Sequence, residues 1–316
     1  MTWLVTGAAG YIGSHLANRL RLDGYNLVAI DDLSSGNVER VSKIDNFYEL
    51  DICDISSLQK VFKKHSITGV LHLAAKKNVA ESMLNPNFYF EVNEGGTANL
   101  AKLALENNIK YFINSSSAAV YGNSIERIVS EDSSLLPISP YGQSKLNAEQ
   151  QLSSIFHNQD IKHLSLRYFN VGGSESANFT DDSKSNLIPI VIQKLRNGIN
   201  PTIFGDDYDT EDGTCVRDYV HISDVVNALI LCVNTLTRKL VVPKALNIGS
   251  GLGYSVLEVV KLISDEFESQ LKPSFSPRRI GDPDMLVANI TKSSLFMDYK
   301  PKFSMREIVK STITNS

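Results

Sequence analysis

A chain of 316 residues with 42% hydrophobic composition is long enough to bury a sizeable core and to form two lobes. Its 31 basic and 35 acidic residues give a net charge of -4 with no Lys/Arg-rich run, which argues against nucleic acid as a partner. No apolar run approaches the ~20 residues that span a bilayer, so no membrane association is expected. With no basic, cleavable leader ahead of a first strand that begins at Thr2, the expected location is the cytoplasm.

Taken in chain order, short apolar strands alternate with helical patterns. "WLV" precedes a helix over 11 to 22, "NLVAI" follows at 26 to 30, a helix falls near 56 to 64, and "GVLHLA" occupies 69 to 74. A helix over about 87 to 107, "YFINSSS", a helix over about 141 to 157 and "HLSLRYFN" complete the series. This alternation predicts βαβ units and a doubly wound parallel sheet, and strands that are apolar throughout fit a sheet covered on both faces. Beyond about residue 170 the rhythm gives way to loops rich in Gly, Asp and Pro, with helices near 186 to 197, 223 to 234 and 255 to 268. We expect a Rossmann domain over 1–170 and a smaller substrate-binding α/β lobe over 171–316, with about 216–250 returning to the first domain. Cys53, Cys215 and Cys232 lack a Cys-x-x-Cys spacing, and the six histidines lack a ligand spacing, so neither a disulfide framework nor a metal site is expected.

"VTGAAGYIGSH" places Gly7, Gly10 and Gly13 between the first strand and the first helix. Gly7 suits a tight turn, Gly10 a close approach to a pyrophosphate, and Gly13 close packing of a helix whose N-terminal amides face the phosphates. Asp31 and Asp32 end the second strand, and Asp31 lies 18 residues beyond Gly13, close to the ~20 at which a carboxylate holds the adenosine ribose hydroxyls. A carboxylate there repels a 2′-phosphate, which selects NAD over NADP.

"SSSAAVYG" followed by "SPYGQSK" carries the chemistry. Tyr141 and Lys145 are four apart and share a helix face. A Lys cation beside the phenol, together with the positive nicotinamide ring, would lower the tyrosine's ordinary pKa of ~10 and make it a general base. Ser117, at the carboxyl end of its strand, lies where ligands bind in open α/β sheets and could relay or orient a hydroxyl proton.

On these residues, together with "LDICD", "HLAAKKNVAES", "VNEGGT", "LRYFNVGG", "SNLIP", "FGDDYDTEDGTCVRDYVHISD", "LNIGSGLGYSV" and "PRRIGD", the chain resembles the extended short-chain dehydrogenase/reductases nearly end to end, and within them the UDP-glucose 4-epimerases. The resemblance implies reversible inversion at C4 of a UDP-hexose through a 4-keto sugar, with tightly held NAD and a homodimeric assembly through the helices at about 87 to 107 and 141 to 157. It implies a cofactor site made by the glycine turn with Tyr11, Ile12, Asp31, Asp32, Asp51, Ile52, Leu73, Ala74, Ala75, Lys77, Asn93, Ser115, Tyr141, Lys145 and Phe169. Around the UDP-sugar it implies Lys77, Ser117, Tyr141, Asn170, Asn186, Leu187, Arg217, Arg279, Asp282 and Leu286. Two arginines suit a diphosphate and Asp282 a ribose hydroxyl pair. Without the resemblance, Arg278 and Arg279 read as a solvated basic pair and Arg217 as the ion-pair partner of Asp218.

The acidic run over 206 to 212 lacks the glycine and terminal glutamate of a calcium loop and reads as a solvated loop; His72 reads as a packed strand histidine. Sugar-nucleotide 4,6-dehydratases share the fold, but that family places an Asp-Glu pair where this chain has Ala118 and Ala119, which cannot move protons. A non-catalytic NAD-sensing module would not need Tyr141. Leu286 stands where a tyrosine in this family restricts the pocket to glucose and galactose. Its intermediate size leaves UDP-N-acetylglucosamine as an alternative, weaker substrate.

Overall fold

The computed structural model describes residues 1–316 except 182, 184, 280 and 281, so two positions of the "PRRIGD" stretch lie outside the described residues. The first half runs β1 (Thr2–Thr6), α1 (Tyr11–Leu22), β2 (Asn26–Asp31), β3 (Phe47–Glu49), α2 (Ile55–Lys64), β4 (Ile67–His72), α3 (Val79–Leu84), α4 (Pro86–Tyr89) and α5 (Gly96–Glu106). It continues with β5 (Tyr111–Ser117), β6 (Ile128–Val129), α6 (Pro140–Ile155) and β7 (Lys162–Tyr168). The second half contains β8 (Asn170–Gly172), α7 (Leu187–Arg196), β9 (Thr202–Phe204), β10 (Val216–His221), α8 (Ile222–Leu236), β11 (Ala245–Ile248) and β12 (Gly253–Ser255). α9 (Val256–Glu266), β13 (Ser274–Ser276), β14 (Met285–Ala288), α10 (Thr291–Met297) and α11 (Met305–Asn315) close the chain.

Seven parallel strands in the order β11-β7-β5-β4-β1-β2-β3 form the doubly wound sheet expected from the sequence. Because side chains alternate across a strand, Trp3 and Val5 of β1 enter one core with Leu16, Leu20, Val225 and Leu229, while Leu4 enters the other with Val28, Phe62, Leu100 and Phe112. Strand order reverses between β1 and β4, and the crevice beyond the carboxyl ends of those two strands is where such sheets bind ligands.

The second lobe has a sheet in the order β12-β10-β14-β6 with β8 added on β10, packed on a core from α7, α9 and α11 that includes Ile188, Val259, Ile263 and Ile308. The chain returns to the first lobe later than the expected residue 216. β10 pairs with β8, β12 and β14, and it is α8, packed on α1, and β11, at the edge of the seven-stranded sheet, that rejoin the first lobe. β6, in turn, leaves the first half to pair with β14. Such short pairings at the lobe junction leave little periodicity for sequence reading to find.

Candidate active site

α1 starts at Gly10, whose position offers no side-chain cap to the first-turn amides, so these donors remain available to an anion at the switch point. Gly7 adopts φ +69°, and a Cβ there would lie 2.6 Å from the Ala74 nitrogen, so the turn packs directly on the end of β4. A Cβ on Gly13 would lie 1.9 Å from the Gly7 carbonyl oxygen, whereas one on Gly10 meets only that carbonyl, at 3.2 Å. The three glycines thus divide between a strained turn, a helix packed on it and an open face, and this geometry fits a pyrophosphate.

Asp31 is buried, with Oδ2 accepting from the Ala9 amide at 2.9 Å and Oδ1 from the Leu33 amide at 2.9 Å. Burial pushes its carboxyl up and these amides oppose the shift. Asp32 takes the Ser34 amide and hydroxyl and pairs with Lys76 at 3.4 Å; burial raises its carboxyl, but the hydrogen bonds and Lys76 carry it below the ordinary range. The Leu73 and Ala74 amides bond Thr6, so the segment leading to Ala75 is fixed to β1. Asp51 holds the turn after β3 through the Cys53 amide at 2.8 Å, and buried Ile52 fills the space a Cβ on Gly96 would occupy.

Asn93 lies in a π-helical stretch, Phe90–Gly95, which joins α4 to α5 and interrupts the expected helix. Its amide spans the backbone N–H and C=O of Lys76, at 2.8 and 3.0 Å, and donates to the Ser144 hydroxyl at 3.0 Å. Asn93 therefore fixes the 73–78 segment against α6. Tyr11, expected at the cofactor site, opens α1 beside the glycine turn. Its hydroxyl donates to the Gly173 carbonyl at 2.5 Å, tying the lobes together, and its backbone stands next to Ile12 in the first turn of α1.

Ser139 caps α6 by accepting from the Gly142 amide at 3.1 Å, and Pro140 occupies its first turn, which places Tyr141 at the start of the helix. Three consecutive serines at the end of β5 then meet this helix. The Ser117 side chain lies close enough to the Tyr141 phenol to favour its ionised form, the Ser115 carbonyl accepts from Lys145 Nζ at 2.9 Å, and the Ser116 hydroxyl donates to Glu149 at 2.5 Å.

The lowering of the phenol expected from Lys145 acting with the nicotinamide ring belongs to the cofactor-loaded site; the chain's own groups set a different balance. Burial drives the Tyr141 hydroxyl above its ordinary value, and the group opposing that rise is Ser117. Lys145 directs its ammonium to the Ser115 carbonyl, and burial brings that ammonium down to about 8. His72 is the packed residue expected, with Nδ1 on Thr6 at 2.8 Å and Nε2 on Thr97 at 2.9 Å, held to about 3 by burial and then by Lys145.

On the second lobe's side, Phe169 is buried beside Tyr121, and Asn170 opens β8. Lys77 approaches Asp181 at 3.9 Å; Asp181 accepts from Asn186 at 2.6 Å, and Asn186 with Leu187 forms the N-terminus of α7. Arg217 pairs with Asp282, at 3.4 Å, and not with Asp218. The Asp218 carboxylate accepts instead from the Ser250, Gly251 and Ala288 amides. Arg217 Nη1 donates to the Val216 and Pro283 carbonyls, at 2.9 and 2.7 Å, while buried Nη2, the atom that faces Asp282, makes no hydrogen bond to a described group.

Arg278 and Arg279 are not simply solvated: they lie over the rings of Tyr208 and Phe204, at 4.4 and 4.3 Å. In the acidic run, Asp207 pairs with Arg278, Asp209 with Arg127, and Asp212 takes the Thr214 amide and the Ser255 hydroxyl. No group of three or more potential metal ligands occurs among the described residues, and none of their helices is long and apolar enough to cross a membrane.

Sequence reading missed the buried set Ser116, Glu149, Arg167, Tyr121 and Asn247. The one available signal was Glu149, four residues beyond Lys145 on the same helix face.

Comparison with known proteins agrees with this geometry. The model of the NAD dependent epimerase/dehydratase family matches residues 3–249. A UDP-glucose 4-epimerase of Halalkalibacterium halodurans is 38% identical over 97% of this chain and 92% of its own length. The crystal structure of a UDP-glucose-4-epimerase from Stenotrophomonas maltophila with bound NAD and formylated UDP-arabinopyranose superposes with a TM-score of 0.93 at 33% identity, covering 100% of this chain and 97% of that one. A UDP-Glc/GlcNAc 4-epimerase from Campylobacter jejuni gives 0.87 at 33% identity over 99% and 98%. With the model matched over residues 3–249 and relatives of up to 38% identity covering nearly the whole chain, the chain belongs to the NAD-dependent epimerase/dehydratase family.

Proposed function

We propose that the chain interconverts UDP-glucose and UDP-galactose by reversible inversion at C4, using resident NAD. The observation that carries this reading is the stitching of Ser117, Tyr141 and Lys145 at the end of β5, opposite the uncapped glycine turn. The glycine turn and Asp31 would hold NAD, which would supply a reversible hydride acceptor for C4 and a positive ring that favours the phenolate. Tyr141 Oη takes the proton of the 4-hydroxyl and later gives it back, with Ser117 orienting the exchange. Lys145, anchored on Ser115, holds positive charge beneath that site. Arg217 and Arg279 grip the diphosphate, leaving the 4-keto sugar free to turn about that link and present its opposite face. Ala118 and Ala119 supply no further acid or base, so the sugar is not dehydrated.

Leu286 favours a second substrate class. It lines a buried apolar wall that leaves more room than a tyrosine would, so UDP-N-acetylglucosamine is a weaker substrate. The proposed location is the cytoplasm. The proposed assembly is a homodimer through the α4–α5 and α6 helices, near which Met83, Leu84 and Phe88 expose apolar side chains.

The test is to give the purified protein UDP-galactose without added cofactor and follow the sugar by proton NMR. The expected result is an equilibrium with UDP-glucose and no net redox change. A 4-keto-6-deoxy product, stoichiometric cofactor consumption or no turnover would overturn the reading.

A further inference from the structure

Beneath the Tyr141–Lys145 face lies an ion pair that the proposed reaction does not use. Arg167 of β7 grips Glu149 of α6 with both arms of its guanidinium, Nε to Oε1 at 3.0 Å and Nη2 to Oε2 at 2.7 Å. Ser116 adds a third hydrogen bond to the same carboxylate at 2.5 Å. Arg167 Nη1 donates to the Tyr121 hydroxyl at 3.0 Å, and that hydroxyl donates to Asn247 at 2.6 Å. All five side chains are buried.

A buried ion pair is a weak source of stability, because apolar residues of the same shape commonly do as well. Its position is therefore informative. Glu149 follows Lys145 by one helical turn, and Ser115 and Ser116, which hold the two side chains, are adjacent on β5.

We infer that Glu149, clamped by Arg167 and Ser116, is a positioning residue for the reaction: its carboxylate keeps the buried Lys145 side chain a cation. This rests on the role proposed above for Lys145. The groups that face Lys145 from the surrounding elements are His72 of β4, the Ser115 carbonyl at the end of β5 with Tyr168 of β7 beyond it, Tyr89 of α4 through Tyr141, and Arg167 through Glu149. His72 is neutral and the tyrosines are phenols, so the charges in this set are the Glu149 carboxylate, one helical turn from Lys145, and the Arg167 guanidinium that clamps it from β7. Burial drives the Lys145 ammonium down, and Glu149 is the group that opposes it. Without that carboxylate, Lys145 would lose its proton within the working pH range, and the phenolate of Tyr141 would lose its nearby positive charge.

The test is the pH profile of kcat for UDP-galactose in the NAD-loaded enzyme. Glu149→Gln keeps the shape and removes the charge, and should move the alkaline limb about one pH unit toward acid. That is roughly a tenfold loss above the limb, with KM unchanged. Because this variant strands Arg167, the double variant E149Q/R167M removes the pair together and should show the same displaced limb. Ser116→Ala loses a hydrogen bond but no charge and should leave the limb in place. Lys145→Met separates the two ideas, since wild-type turnover in that variant would refute the Lys145 role itself. If K145M is inactive while the double variant keeps the wild-type limb, or loses rate equally at every pH, the Glu149 proposal is overturned and the Lys145 role stands. A limb displaced as far by S116A would overturn it too, because packing and not charge would then set the profile.

Discussion

Leu286→Tyr asks how the cleft chooses its sugar. Leu286 sits on β14 at the register position of Arg217 on β10, so it lies beside the residue proposed to hold the diphosphate. It is 8% exposed, in an apolar wall with Ala118, Val120, Tyr121, Phe169 and Ala288. The one polar atom those side chains carry, the Tyr121 hydroxyl, is engaged with Asn247 and Arg167. An acetamide pressed on this wall finds neither donor nor acceptor. Leaving its polar atoms desolvated costs roughly 1–3 kcal/mol, or about 5- to 150-fold in kcat/KM. We therefore expect UDP-glucose and UDP-galactose to be preferred over UDP-N-acetylglucosamine by a factor in that range. The tyrosine should cut the residual acetylated reaction by about tenfold more while leaving the plain pair within about threefold, because it adds bulk only where the acetyl group would lie. Initial rates for both sugar pairs on wild type and variant, with Tm as a control for folding, measure this. Faster turnover of the acetylated pair by the wild type, or an equal loss on both pairs in the variant, would refute the reasoning.

Arg217→Ala removes a guanidinium whose buried Nη2 faces Asp282 without hydrogen-bonding a described group, and should raise KM for the UDP-sugar by about tenfold or more, the scale of a charge-assisted bond, with a smaller change in kcat. The purified protein should carry NAD and release it on denaturation. Asp31→Asn should narrow discrimination against NADP by at least about tenfold, since a like charge facing the 2′-phosphate is removed; titrations of both cofactors into stripped protein read this. His72, held near 3 against an ordinary value of 6.5, stays neutral in the fold while the unfolded chain takes up a proton. Its contribution is thus intact above pH 6.5 and lost as pH falls toward 3, at about 1.4 kcal/mol per pH unit, with His221, held near 4, adding to the loss. Urea unfolding between pH 7 and 4 should show a flatter acid slope in His72→Gln than in the wild type.

The first lobe was legible because its signals are local. An apolar strand, a glycine turn and an amphipathic helix repeat often enough that β1, β2, β4, β5 and β7 could be read from periodicity, and Gly7, Gly10 and Gly13 each occupy the backbone setting their spacing implied. Tyr141 and Lys145 share a helix face for the same reason. What the spacing could not reveal was the direction of their side chains: Lys145 turns to the Ser115 carbonyl, and Tyr11 turns to Gly173 across the lobe junction. The short strands β6, β8, β12 and β14 were invisible because each is two to four residues long and paired with a segment distant in sequence. The pairing of Arg217 with Asp282 in place of Asp218 has the same origin. Neighbours in a strand point to opposite faces, so Asp218 turns inward to the Ser250, Gly251 and Ala288 amides.

The central claim, that Tyr141 moves the C4 hydroxyl proton while NAD stays in place, is tested most directly by Tyr141→Phe. Conversion of UDP-galactose to UDP-glucose should be followed in wild type and variant, and the NAD released from each on denaturation measured alongside. The account predicts a fall in turnover of at least ~10²-fold with an unchanged NAD content. Turnover within a few-fold of the wild type at full NAD occupancy would contradict it.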